Sequence, residues 1–172
     1  METTNNTNEY ITFILQDEEY AIEVSGIESI LEYTKITKLP GTDDTVKGVI
    51  NLRGNALPVV DLRTALNLEE SEITLNTSII VMLIKTGEKI ATIGGIVDSV
   101  KEVIEITPDI IQEAPKVGIR IKSNYITGIA KHNENFVIIL DINKVLSDDQ
   151  IAIVEDENLL LPEDSVTKVS SK

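Results

Sequence analysis

Val46–Arg63 reads VKGVINLRGNALPVVDLR, and the fold follows from it. Apolar residues alternate on either side of Gly54-Asn55, which predicts two strands joined by a tight two-residue turn there, with glycine supplying the positive φ such turns need. Folding the ladder on that turn sets Leu52 opposite Leu57 and Ile50 opposite Val59 as an apolar face. Lys47, Asn51 and Arg53 share the other face with Ala56, Pro58 and Val60. Pro58 has no N–H to donate, so its strand is expected at an edge or locally irregular.

The hairpin recurs. Gly48-Val49 aligns with Gly128-Ile129, and the same offset carries Asn55 onto Asn135, Val59 onto Ile139, Asp61 onto Asp141 and Leu66 onto Leu146. Upstream a shorter offset matches Ala21 with Ala91, Glu28 with Asp98, Ser29 with Ser99 and Glu32 with Glu102. The second copy therefore holds an insertion between Ile106 and Thr127. We read a duplicated unit, Tyr10–Leu66 and Ser78–Leu146. The glycine, the apolar pair and the aspartate are common to both copies, so the fold accounts for them. Asn51 and Arg53 give way to Lys131 and Asn133 in the second copy, which makes Arg53 a candidate for contact with a partner, with a local surface ion pair as the other reading.

The chain has 172 residues, 42% of them hydrophobic, enough for one large domain or two small ones. Its many Ile and Val residues favour strands. Aromatic residues make up only 3%, with no Trp, so platforms for base stacking are not expected. A net charge of −14 argues against nucleic acid or an anionic membrane surface as partner. Without Cys there is no disulfide, thiolate nucleophile or cysteine metal site. No apolar run approaches the length of a membrane span, and the polar start METTNNTNE lacks the basic and apolar regions of a signal peptide, so a cytoplasmic protein is expected.

Along the chain, alternation predicts strands at Ile11–Leu15, Tyr20–Val24 and Ile27–Ile36 before the hairpin. After a short helix and linker at Arg63–Glu72, Ile79–Ile84 is a continuous apolar run, expected to be buried on both faces. Strands at Ile90–Val97 and Val100–Ile106 follow, with Gly94-Gly95 read as a bend or bulge. A helix is expected over 147–154, where Ser147 and Gln150 form a capping box, and residues 1–8 and 156–172 are expected to be disordered. Five short strands in each unit, with edges to hide, favour closure. The expected fold is all-β with a C-terminal helix: two tandem five-stranded barrels within residues 9–154, one per unit.

The residues offer little chemistry. The single histidine, His132, lies beside a hairpin turn, so neither a zinc site nor any other metal site is expected. Gly94-Gly95 lacks the Lys-Ser/Thr of a phosphate loop. Asp61 and Asp141 end equivalent strands and are read as caps of the turns that follow. No nucleophile–base pair is visible, so no catalytic residue and no cofactor is expected. The alternative left open is a small enzyme whose site is built from distant loops.

The segment VKGVINLRGNALPVVDLR resembles the signature of the CheW family of bacterial chemotaxis adaptors. DEEYAIEV, IVDSVKEVIEI and YITGIAKHNENFVIILDINKVL extend the likeness over residues 9–154. The resemblance implies two SH3-like barrels side by side. It also implies an adaptor that binds the regulatory domain of the histidine kinase CheA and the cytoplasmic tips of chemoreceptors, recruited to membrane-associated receptor arrays. A CheW-like regulatory fragment of a larger kinase or scaffold is the other reading it leaves. Carried onto this chain, it marks Lys47, Gly48, Asn51, Leu52, Arg53 and Gly54 as contact residues, and Val117 in the insertion is a further candidate for the kinase-facing patch, the other reading being that Val117 and Ile119 fold inward over the open end of the barrel. Two positions depart from the family pattern. Ser29 stands where an acidic partner for the signature arginine is common, and Asp43 where a proline is. Glu28 lies next to Ser29, but on a regular strand it points to the other face.

Overall fold

The computed structural model describes residues 8–42, 45–115 and 125–146. The first repeat supplies strands β1 (Glu9–Leu15), β2 (Glu18–Glu23), β3 (Ile27–Glu32), β4 (Val46–Leu52) and β5 (Asn55–Asp61), followed by the helical turn α1 (Leu62–Ala65). The second supplies β6 (Ser78–Thr86), β7 (Lys89–Val97), β8 (Ser99–Glu105), β9 (Ile111–Gln112), β10 (Ile126–His132), β11 (Asn135–Leu140) and α2 (Ile142–Val145). None of the described helices is long and apolar enough to cross a membrane. The expected helix over 147–154, the tails, Asp43 and Val117 lie outside the described residues.

Strand pairing cuts across the repeat, which corrects the expectation of one barrel per unit. The five-stranded sheet runs β3-β6-β7-β5-β4 and the six-stranded one β8-β1-β2-β11-β10-β9. The β1–β2 hairpin of the first repeat thus belongs to the second barrel, where β2 lies parallel to β11 with Ala21 beside Ile139. The β6–β7 hairpin belongs to the first barrel, where β7 lies parallel to β5 with Gly94 beside Val59. These registers also correct the upstream repeat alignment: Ala21 corresponds to Gly94, not Ala91. Likewise Phe13 faces Val100 where Met82 faces Ile27. The two exchanged hairpins also differ in length, with nine residues in each of β6 and β7 against seven and six in β1 and β2.

The exchange produces three apolar clusters. Ile50, Leu57, Val59, Ile79, Val81 and Ile96 fill the first barrel. Tyr10, Ala21, Ile106, Ala130, Val137 and Ile139 fill the second. A larger core shared by both sheets lies between them, and Phe13, Leu15, Ile80, Met82 and Ile84 belong to it. This explains the unbroken run in β6. Ile79 and Val81 face the first barrel, whereas Ile80, Met82 and Ile84 face the central core, so neither face meets water.

Gly94-Gly95 makes no bulge, since β6 and β7 pair without a break. A Cβ on Gly94 would meet Ile79 Cγ2 at 2.8 Å, and one on Gly95 would meet Met82 Cε at 2.7 Å, so both positions are empty because neighbours fill the space. Pro58 sits in an internal strand, but the β5–β7 ladder begins only at Val59, so Pro58 has a ladder neighbour on the β4 side alone. Asp61 and Asp141 cap their turns as expected, accepting from the Arg63 and Lys144 backbone N–H groups.

Candidate functional site

The β4–β5 hairpin turns at Arg53-Gly54, one residue earlier than the spacing predicted: Leu52 pairs with Asn55, Asn51 with Ala56 and Ile50 with Leu57. Moving the turn by one residue shifts each cross-strand pair by two, so every side chain keeps its face. Ile50, Leu57 and Val59 are buried as expected, with Leu52 packed beside them. Both turn residues are left-handed, Arg53 at φ 52° and Gly54 at φ 87°, as a type I′ turn requires. The Asn51 carboxamide oxygen accepts from the Gly54 N–H at 2.8 Å and holds the tip.

Arginine is a poor choice for a left-handed position, where a side chain costs roughly 1–2 kcal/mol. The equivalent turn of the second repeat has Asn133 at φ 52°, and asparagine is among the residues that tolerate this region best. Turn geometry therefore gives no reason for Arg53. Its guanidinium meets the Glu28 carboxylate, while 65% of its side chain stays accessible to solvent. Glu28 reaches it through a β-bulge: Ile27 pairs with Met82 and Ser29 with Val81, leaving Glu28 as the extra residue. The expectation that Glu28 points away assumed a regular strand, and the bulge corrects it. Glu28 thus supplies the carboxylate that Ser29 cannot.

The other candidates lie apart from this tip. Lys47 and Arg53 are six residues apart on one strand and its turn, roughly 20 Å at strand rise. Lys47 pairs with Glu70 of the linker, and its hydrogen bond holds the Glu70 carboxyl below the ordinary range. Gly48 has a structural reason. At φ 142° it lies under Ile36–Thr37, and Thr37 exchanges backbone hydrogen bonds with Val49 at 2.9 Å each. Gly128 repeats the device beneath β9, where a Cβ would meet Gln112 O at 2.6 Å.

Arg63, at the end of the quoted stretch, was not singled out by the sequence. It is 1% exposed. Its Nε and Nη2 donate to the two oxygens of buried Asp61 at 2.8 and 2.9 Å, and Nη1 donates to Asp98 Oδ1 at 2.8 Å and Ser71 O at 3.0 Å. Burial alone would lower the guanidinium's proton affinity, but the hydrogen bond and charge of Asp61, with those of Asp98, raise it instead. Asp98 also accepts from the Gln16 N–H of the β1–β2 turn at 2.7 Å. The network stands where the chain passes from β7 of one barrel to β8 of the other, and ties the exchanged hairpin to both.

Two barrels locked together by exchanged hairpins, with an arginine–glutamate pair at a left-handed hairpin tip, are the class of fold this chain presents. Residues 9–150 match the family model described as CheW-like domain. The chain is 31% identical over 147 residues to the chemotaxis protein CheW of Klebsiella aerogenes, covering 86% of each chain. It is 39% identical over 136 residues to that of Bacillus subtilis, covering 79% of this chain and 85% of the relative. The crystal structure of the scaffolding protein TtCheW from Thermoanaerobacter tengcongensis superposes with a TM-score of 0.72 at 29% identity, over 84% of this chain and 95% of that one. The chain belongs to the CheW-like family, and it is a chemotaxis coupling adaptor that works through protein partners.

Proposed function

We propose that this adaptor joins the regulatory domain of the kinase CheA to the cytoplasmic tips of chemoreceptors, and that it is drawn to receptor arrays at the membrane by those contacts. The resemblance of the quoted motifs supports these partners. The observation that carries the site is Arg53, kept in a left-handed turn that asparagine would fill more cheaply, and aimed by Glu28 while most of its side chain stays exposed.

Arg53→Asn tests this. Losing an exposed ion pair costs about 0–1 kcal/mol, and relieving the left-handed arginine returns a similar amount. The melting temperature is therefore expected to move by no more than about 4 °C. Binding in a receptor–kinase co-sedimentation assay is expected to weaken on the order of tenfold or more, as for an arginine hot spot worth above about 1.4 kcal/mol. A variant that melts far earlier while binding at wild-type strength makes Arg53 structural. A wild-type chain that captures neither CheA nor receptor tips removes the proposed partners themselves.

A further inference from the structure

Beside its own hairpin tip the second barrel groups titratable side chains at other positions than the Arg53–Glu28 pair: His132 takes the place of Leu52 and Glu102 that of Ser29. Its hairpin tip is Asn133-Glu134, and β8 has its own bulge where Thr12 pairs with Glu102 and Phe13 with Val100. The extra residue of that bulge is Lys101, and His132, at the end of β10, places its Nε2 3.2 Å from the neighbouring Glu102 Oε2. Glu19 of β2 completes a group whose ligand atoms all lie within 4.8 Å of one another.

One detail marks this group out as a place for a cation. Glu19 Oε2 is fully buried and has no hydrogen-bond partner, a costly state for a carboxylate oxygen. Lys101 stands 3.9 Å from the other oxygen, Oε1, beyond hydrogen-bond range. His132 Nε2 meanwhile has two neighbours, Glu102 Oε2 and the Asn133 Nδ2 donor at 3.3 Å. One nitrogen cannot donate to the first and accept from the second at once. The 3.2 Å between Nε2 and Glu102 Oε2 is close to the roughly 3.4 Å that separates two ligands of a tetrahedral zinc at about 2.0–2.2 Å, and a metal on Nε2 would take the lone pair that the Asn133 amide now faces.

We propose that Glu19, Glu102 and His132 form a binding site for a divalent transition-metal ion of the zinc class. An imidazole with two carboxylates suits zinc, whereas magnesium prefers oxygen ligands and retains its waters. The expectation of no metal site rested on one His and no Cys. The ligands it overlooked are two glutamates far from His132 in sequence.

His132 is the only histidine of the chain, so its ring resonances report on the site alone. Adding zinc chloride to the full chain at neutral pH is expected to displace those resonances saturably and to raise the melting temperature. Magnesium chloride is expected to do neither. Glu102→Gln, at an exposed position, and Glu19→Gln, which is nearly isosteric, are each expected to weaken zinc binding at least tenfold while keeping the wild-type fold without metal. Zinc that leaves the His132 ring unmoved overturns the proposal, as does zinc binding undiminished in both variants. An equal response to magnesium overturns the assignment of metal class.

Discussion

Replacing Arg63 by methionine is expected to remove about 3–5 kcal/mol of folding stability, the usual cost of leaving a buried charge without its partner. For a chain of this size that is a fall in melting temperature on the order of 10 °C. The loss comes from Asp61, which is fully buried and loses both its side-chain bonds to the guanidinium. Asp98 loses one bond but keeps the Gln16 N–H and the Ser71 hydroxyl. Adding Asp61→Asn to the variant should therefore return part of the stability. The amide oxygen can still accept from the Arg63-position N–H and cap α1, but no charge is left orphaned. Thermal denaturation of the single and double variants decides the matter. If the double variant loses the sum of the two single losses, the cost is packing and not charge.

The residues that carry this network show how far the sequence could be read. The hairpin was legible because alternation and a glycine leave few other choices, and the run in β6 because a short, β-branched apolar run without alternation fits a strand covered on both faces. Hairpin exchange was not legible. It rests on the parallel pairs β2–β11 and β5–β7, whose apolar residues would suit almost any neighbour. Arg63 was missed because an arginine after Leu62 reads as part of a capped surface turn, and arginine is rarely buried unless paired. Its partner Asp98 lies 35 residues away and only the fold brings it near. Glu28 was misdirected because a bulge is one extra residue with no signature of its own. The turn slipped by one because Arg53-Gly54 and Gly54-Asn55 each offer a glycine to a left-handed position, and only the ladder chooses between them.

Gly48→Ala is the second change expected to be severe, and it bears on how variants of the signature are interpreted. A Cβ at this position would lie 2.0 Å from Thr37 O and 2.7 Å from Thr37 C, on a backbone whose φ of 142° suits glycine. Relief requires moving Thr37, which means giving up the two hydrogen bonds with Val49, each worth about 1 kcal/mol net. With roughly 1–3 kcal/mol of backbone strain added, the loss is expected near 3–5 kcal/mol. Gly128→Ala meets Gln112 O at 2.6 Å and should cost less, while Gly54→Ala meets nothing within 4 Å and should cost only its backbone strain. Chemical denaturation of the three variants is expected to rank them in that order. Gly48→Ala should also lose partner binding, but only in proportion to the fraction unfolded, whereas Arg53→Asn should lose it while folded. A Gly48→Ala protein as stable as wild type that still fails to bind would return Gly48 to the contact surface and contradict its structural role.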